Sequence, residues 1–400
     1  MAHDWRDCVD LTDEQRLVRR TVRELCADFD ERYWREKDAQ ESYPHEFVDA
    51  LADHGWLGIL IPETYGGVGM STSEVVVMME EIAASGGGFA AAQAIHGGIY
   101  TSVPLVRYAS EELKRELLPK VAAGDVRIQS FGLTEPNSGS DSTAMETTAT
   151  REGDTYVVSG QKIWISRLDA SDQLLLLART TPRDDVEKPT RGISMFLVDL
   201  EDAYDRGLAF EKIPKTASNA VHAYELWFDE VPVPAERLVG EEGEGFYQVL
   251  DGLNEERLVI AAECLGLGTV ALDRGIEYAS ERTIFDAPIG SNQAIQHPLA
   301  SAYANLLAAK KVIYDAADQL EDLERTQAGA QANVAKYLAA EAAFEAADAA
   351  VQTHGGFGVA REYDVERYFR EARLTRIVPI TQELVLNYLG ERVLALPRSY

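Results

Sequence analysis

Apolar residues recur at three- and four-residue spacing through LTDEQRLVRRTVRELCADFDERYW, residues 11–34, and this period predicts an amphipathic helix. Thr12 and Gln15 stand three apart at its start, the spacing of a capping box. Helical patterning continues to about residue 125, broken by GWLGILIPETYGGVGMS, whose Pro62, Gly66, Gly67 and Gly69 predict a fixed loop. Its glycine spacing is not that of a phosphate-binding loop. From about 128 the period shortens to two. DTYVVSGQKIWIS, DQLLLLART, GISMFLVDL, LAFEKI and AYELWFDEVPVP are short, rich in β-branched and aromatic residues, and separated by turn formers. No long helical pattern lies between them, so antiparallel pairing is expected rather than a parallel nucleotide-binding sheet. Helical patterning returns at about 241, with long segments expected at 244–282, 293–324, 327–353 and 381–395. Alanine-rich AQANVAKYLAAEAAFEAADAAVQ combines strong helix propensity with small side chains that permit close packing.

The expected fold is therefore α+β in three parts: an all-α domain over 1–127, a middle antiparallel β-barrel or sandwich over 128–238, and a C-terminal four-helix bundle over 239–400. Length and a 46% hydrophobic content suit more than one folding unit. No run of about 20 apolar residues predicts membrane insertion, and the acidic N-terminus resembles neither a signal nor a transit peptide. The expected compartment is cytoplasmic. Cys8, Cys26 and Cys264 are odd in number and far apart, so neither a disulfide framework nor a metal site is expected. The net charge of −29 argues against nucleic acid as a partner, and any phosphate-bearing ligand needs a local cationic arrangement. With 28 Arg against 10 Lys, the acidic excess suggests a surface adapted to high salt.

Two stretches of the middle region carry chemistry-bearing residues. FGLTEPNSGSD, residues 131–141, offers hydroxyls and backbone donors around Gly139, which by composition alone describes a turn. In SGQKIWIS, residues 159–166, alternation puts Trp164 and Ser166 on one strand face, where an isolated tryptophan is usually core. GLNEERLVIAAECLGLG, residues 252–268, sets Glu255, Glu256 and Arg257 at the mouth of an otherwise apolar helix. Adjacent residues on a helix diverge by about 100°, so both glutamates cannot face one atom, and periodicity does not choose between them.

In order along the chain, GWLGILIPETYGG, LTEPNSGSD, GQKIWIS, NEERLVIAAECLGLG, ERTIFDAPIGSNQAIQ and AVQTHGGFGV resemble the acyl-CoA dehydrogenase family of flavoproteins over essentially the whole sequence. The resemblance implies FAD as cofactor, with Phe131, Leu133 and Thr134 against the flavin ring and Trp164 and Ser166 beside its reactive face. Arg282, Phe285, Gln293, Gln352, Gly355 and Gly356 match FAD contacts made across a subunit interface, which implies a dimer or a homotetramer built as a dimer of dimers, the latter being expected. Ser140 matches a CoA contact and Arg257 a residue bordering the substrate channel. Structural alternatives are that Arg282 pairs with surface acids and that HGGFG only ends the alanine-rich helix.

Many members carry the base in a late Glu-Gly-Thr motif. Here RLTRIVPITQEL, residues 373–384, puts Pro379 and Ile380 at the first two positions, with Thr381 matching the threonine. Members resembling isovaleryl-CoA and long-chain acyl-CoA dehydrogenases supply the carboxylate from the earlier helix, and that position falls on Glu256. The expected reaction is α,β-dehydrogenation of an acyl-CoA to a trans-2-enoyl-CoA, with electron-transfer flavoprotein as acceptor. Pro379 lacks the N–H that the family turns toward the thioester oxygen. A noncatalytic or weakly active partner subunit and a flavin-dependent oxidase are the alternatives.

Overall fold

The computed structural model describes residues 8–250 and 252–398. The first third is helical: α1 (Asp13–Cys26), α2 (Glu31–Gln40), α3 (His45–Asp53), α4 (Thr72–Ile82), α5 (Gly88–Tyr108) and α6 (Glu111–Ala123). The capping box at α1 forms as expected, with the Thr12 hydroxyl accepting from the Gln15 N–H and the Gln15 side chain accepting from the Thr12 N–H, both at 3.1 Å. The glycine loop before α4 folds back so closely that a Cβ at Gly67 would lie 2.0 Å from the Ile61 carbonyl oxygen. The Thr72–Tyr108 stretch is apolar and long enough to cross a membrane, yet 83% of its most apolar window is buried within the protein.

In the middle region, β1 (Ser130–Gly132), β2 (Thr148–Glu152), β3 (Thr155–Ser166), β4 (Gln173–Arg179), β5 (Ile193–Asp199), β6 (Leu208–Lys212), β7 (Ala223–Pro234) and β8 (Leu238–Val239) form one sheet, with a short α7 (Leu200–Tyr204) after β5. The strand order is β6-β7-β3-β2-β4-β5-β8, and β1 joins β4. Pairing is antiparallel except for β1 on β4 and the Thr148–Arg179 contact of β2 with β4, which are parallel. These two parallel contacts are exceptions within the expected antiparallel sheet. β2 was missing from the expected strands, because TATREG is polar and nearly all of it faces water. β4 is buried along both faces: Leu174 and Leu176 join one core with Phe196 and Leu226, while Leu175 and Leu177 join another with Leu105, Leu117 and Leu118 of α5 and α6. Helices on one face and a second core on the other explain the unbroken LLLL run.

The C-terminal region contains α8 (Gly245–Leu250), α9 (Leu253–Glu281), a hairpin of β9 (Thr283–Ile284) and β10 (Ala287–Pro288), α10 (Gln293–Asp318), α11 (Arg325–His354), α12 (Val365–Thr375) and α13 (Gln382–Tyr388). The segment expected as one helix over 244–282 is thus two helices, and α12 is an addition to the expected set. Small residues set the helix spacing. A Cβ at Gly268 would lie 2.9 Å from the Ala343 Cα, and one at Gly275 would lie 3.3 Å from the Ala350 Cα, so α9 and α11 run side by side in the same direction.

Charges inside the helical core come in partnered sets. Glu80 of α4 accepts from Lys310 Nζ at 2.6 Å and from the Tyr314 hydroxyl at 2.5 Å, and the Lys310 side chain is fully buried. Removing one partner of a buried pair strands the other and costs about 3–5 kcal/mol. Lys310→Met is therefore expected to lower the thermal midpoint by about 5 °C or more in calorimetry. Adding Glu80→Gln to that variant should recover part of the loss.

Candidate active site

The segment after β1 runs beside β3, and a buried ion pair ties the two together. Lys162 Nζ donates to Glu135 Oε1 at 2.8 Å and to the Leu133 carbonyl at 3.0 Å. The Glu135 carboxylate also accepts from the backbone N–H of Glu146 (2.6 Å) and Thr147 (3.0 Å), which closes the polar loop between them. Burial pushes the Glu135 carboxyl up, but Lys162 and these N–H donors outweigh it and hold it below the ordinary carboxylate range. The Thr134 carbonyl accepts from the Ile163 N–H at 2.9 Å. Phe131, Leu133 and Thr134 are thereby fixed next to the end of β3.

β3 slips register on β7 between Lys162 and Ile165, and within that bulge Trp164 takes φ +62°. A bulge turns a side chain out of the regular alternation. The Trp164 indole is 55% exposed and does not belong to the core. Ser166 pairs with Ala223 one step beyond. The hydroxyls of Thr134 and Ser166 carry no hydrogen bond to another described residue, whereas Ser140 stands exposed on the loop beyond Ser138. An exposed indole flanked by free hydroxyls fits the edge and face of a flavin ring.

The first turn of α9 brings the two glutamates into different company. Glu255 forms an ion pair with Arg107 of α5 at 2.5 Å. Glu256, 7% exposed, accepts no hydrogen bond from any described residue and lies 3.8 Å from Nε2 of His96 on α5. The next residue, Arg257, donates to Asn254 at 2.9 Å, its Nε is buried without a partner, and burial lowers its basicity. From His96 a line of rings leads to the sheet: its centroid is 4.9 Å from Tyr100, which meets Phe131 edge-on at 5.7 Å. His96 and Tyr100 thus connect Glu256 to the Phe131–Thr134 wall.

Three further side chains complete it. His96 Nδ1 lies 2.7 Å from Glu263 Oε1, and the second Glu263 oxygen accepts from Gln93 Nε2 at 2.7 Å. Arg167, which follows Ser166, donates to the Gln93 carbonyl at 2.8 Å and to the Gln129 carbonyl at 3.1 Å. The sequence reading missed this group. Gln93, His96 and Tyr100 fall at helical spacings on one face of α5, and Glu263 lies two turns after Glu256, so periodicity held the signal.

The remaining expected residues lie elsewhere. Arg282 caps the far end of α9, which at about 1.5 Å per residue puts it about 39 Å along the helix from Glu256. Beside it, Phe285 is 97% exposed at the β9–β10 hairpin and Gln293 opens α10 in solvent. Gln352, Gly355 and Gly356 gather at the same end, where His354 stacks on Tyr278 at 4.1 Å. Gly355 has φ +59° and both glycines have open space around a would-be Cβ. Among the described residues no carboxylate lies within ion-pair distance of Arg282, so it is not spent on a surface acid. A free guanidinium beside two exposed glycines suits a pyrophosphate. One chain does not bring this group to Glu256.

Pro379 lies on an exposed loop, joined to Val378 by a cis peptide bond. The loop is pinned by Lys336 Nζ donating to the Ile380 carbonyl at 2.9 Å and by Arg376 gripping Glu341 through two 2.7 Å bonds. Thr381 caps α13, its hydroxyl accepting from the Leu384 N–H.

The acyl-CoA dehydrogenase N-terminal, middle and C-terminal domain families match residues 12–125, 130–231 and 243–394. The chain is similar to the acyl-CoA dehydrogenase FadE12 of Mycobacterium tuberculosis, with 33% identity covering 97% of this chain and 98% of the relative. It is also similar to the caffeyl-CoA reductase-Etf complex subunit CarC of Acetobacterium woodii, at 33% identity over 91% of this chain and 94% of that protein. Among solved structures, butyryl-CoA dehydrogenase from Megasphaera elsdenii superposes with a TM-score of 0.89 at 30% identity, covering 96% of this chain and 99% of that one. With all three domains matched in order, the chain belongs to the acyl-CoA dehydrogenase family of FAD-dependent oxidoreductases.

Proposed function

We propose that the protein oxidises an acyl-CoA thioester between Cα and Cβ to the trans-2-enoyl-CoA, with Glu256 as general base. The setting of Glu256 carries this reading: it is buried, 3.8 Å from His96 Nε2 and next to the Tyr100–Phe131 wall, whereas one oxygen of Glu255 is tied to Arg107. The substrate loses a proton from Cα to Glu256 and a hydride from Cβ, leaving the new double bond between them. FAD, when bound, supplies the hydride acceptor. Thr134 and Ser166 offer hydroxyls to the ring, and the exposed Trp164 indole shields it from water. Phe131 and Leu133 back that wall, Ser140 is assigned to CoA, Arg257 to the channel rim, and Thr381 to the cofactor.

Arg282, Phe285, Gln293, Gln352, Gly355 and Gly356 are assigned to the cofactor site of a second copy, since about 39 Å of α9 separates them from Glu256 of their own chain. This makes a homotetramer, a dimer of dimers, the functional unit. Electron-transfer flavoprotein is the proposed acceptor, supported by a relative named as a subunit of an Etf complex. Pro379 favours the second reading, a weakly active partner subunit, because it removes an N–H from the thioester-oxygen site.

Anaerobic mixing of the FAD-loaded protein with short, long, branched and aromatic acyl-CoA thioesters should bleach the visible flavin absorbance. Glu256→Gln should slow bleaching by about 10²- to 10⁴-fold while keeping its FAD. Bleaching unchanged in that variant rules out Glu256 as base, and none with any thioester in the parent supports the partner-subunit reading. Arg282→Ala should weaken FAD binding about 10- to 100-fold, the loss of one charge-assisted hydrogen bond, in fluorescence titration of the apoprotein.

A further inference from the structure

Glu256 is a base only while it is ionised, and a buried carboxylate resists ionisation unless a positive charge faces it. The groups around it come from three directions. Glu255 on its own helix is neutralised by Arg107, and Arg257 turns to Asn254. Tyr100, across the site on α5, is kept neutral by burial and by Glu256 itself, which raise its ionisation well above the ordinary phenol range. Arg167 from the β3–β4 connection spends its donors on the Gln93 and Gln129 carbonyls. Two cationic groups are left near Glu256: the buried Arg257 guanidinium, whose charge Glu256 supports, and His96, whose Nε2 is 3.8 Å away.

His96 is held for that task from behind. Glu263, fully buried, accepts from His96 on one oxygen and from Gln93 on the other, and Gln93 is fixed by Arg167. With Nδ1 engaged by a carboxylate, the imidazole plane is set and Nε2 points toward Glu256. We propose that His96 is a positioning residue which, as an imidazolium clamped by Glu263, keeps the Glu256 carboxylate ionised and aimed into the site. Burial opposes the charged imidazole, but Glu263 and Glu256 together raise it above its ordinary value and favour the imidazolium. The chain Arg167–Gln93–Glu263–His96 also links the residue after Ser166 to the base, so the flavin wall and the proton acceptor share one hydrogen-bonded line.

The inference rests on Glu256 being the base, and the test separates the two. Bleaching rates of FAD-loaded parent, His96→Gln and Glu256→Gln are measured from acid to alkaline pH with one reactive acyl-CoA. Loss of the imidazolium raises the Glu256 ionisation, so the acid limb of His96→Gln should move up by about one pH unit, a tenfold deficit at its acid end that narrows as pH rises. A purely structural defect scales the rate equally at every pH. Independently, the ¹⁵N shifts of the His96 ring, assigned by their disappearance in His96→Gln, are followed in histidine-labelled parent and Glu256→Gln. By reciprocity the His96 midpoint should fall when the Glu256 charge is removed. A His96→Gln deficit constant across pH, or a midpoint unmoved in Glu256→Gln, overturns the proposal. Bleaching that survives in Glu256→Gln removes the base assignment, and this inference with it.

Discussion

α9 is buried without a break from Leu258 to Leu272, and a helix buried all round can carry ionisable groups only where each finds a partner. The placement of the site follows from that constraint. Glu263 lies mid-helix at 0% exposure and is matched on both oxygens by α5. Two turns earlier, Glu256 is buried and faces His96 Nε2 at 3.8 Å. Glu255, one position away and rotated by about 100°, meets Arg107 instead. The α5–α9 contact therefore gives three acids of one helix three settings: Glu263 bonded on both oxygens, Glu256 facing His96, and Glu255 paired with Arg107.

The same close packing joins the helical region to the sheet. A Cβ at Gly97 of α5 would lie 2.1 Å from the Gln129 carbonyl oxygen, so the helix passes directly against the chain entering β1. The small residues around 85–98 serve that approach. Arg167, at φ +60° just after β3, fills the junction and bonds to both α5 and residue 129. The sheet that positions the Trp164 wall and the helix that positions His96 are therefore one rigid unit, and relative motion between them costs buried hydrogen bonds.

Much of this was legible in the sequence, and the failures share a cause. Period and turn residues located α1, the long helices and most strands, because there the polar residues do face water. They failed where polar residues are buried in pairs. α12 was overlooked since RYFREAR reads as surface, yet Arg367 and Glu371 are almost fully enclosed, with Glu371 accepting the Phe89 and Ala90 N–H groups that open α5. Lys162 is a cation in the middle of a strand, and period two does not name its partner; it holds Glu135 inside. His96 was hidden among glycines and alanines for the same reason. Conversely, Trp164 looked like core and is exposed, because no pattern announces a bulge.

The proposed FAD site at Arg282 has to work within a strongly acidic protein. With 67 acidic against 38 basic residues, most guanidinium groups find a carboxylate: Arg23, Arg35, Arg107, Arg274, Arg370 and Arg376 all do. Arg282, like Arg20, Arg183 and Arg392, has no described carboxylate in ion-pair reach, and it is displayed at the end of α9 near the exposed ring of Phe285. Like-charge crowding elsewhere makes such a site selective, since a polyanion meets repulsion over the rest of the surface while a compact pyrophosphate touches only the local cation. The exposed ring and the free cation stand at the opposite end of α9 from the base, so burying the first and neutralising the second requires a surface that this chain does not fold over itself.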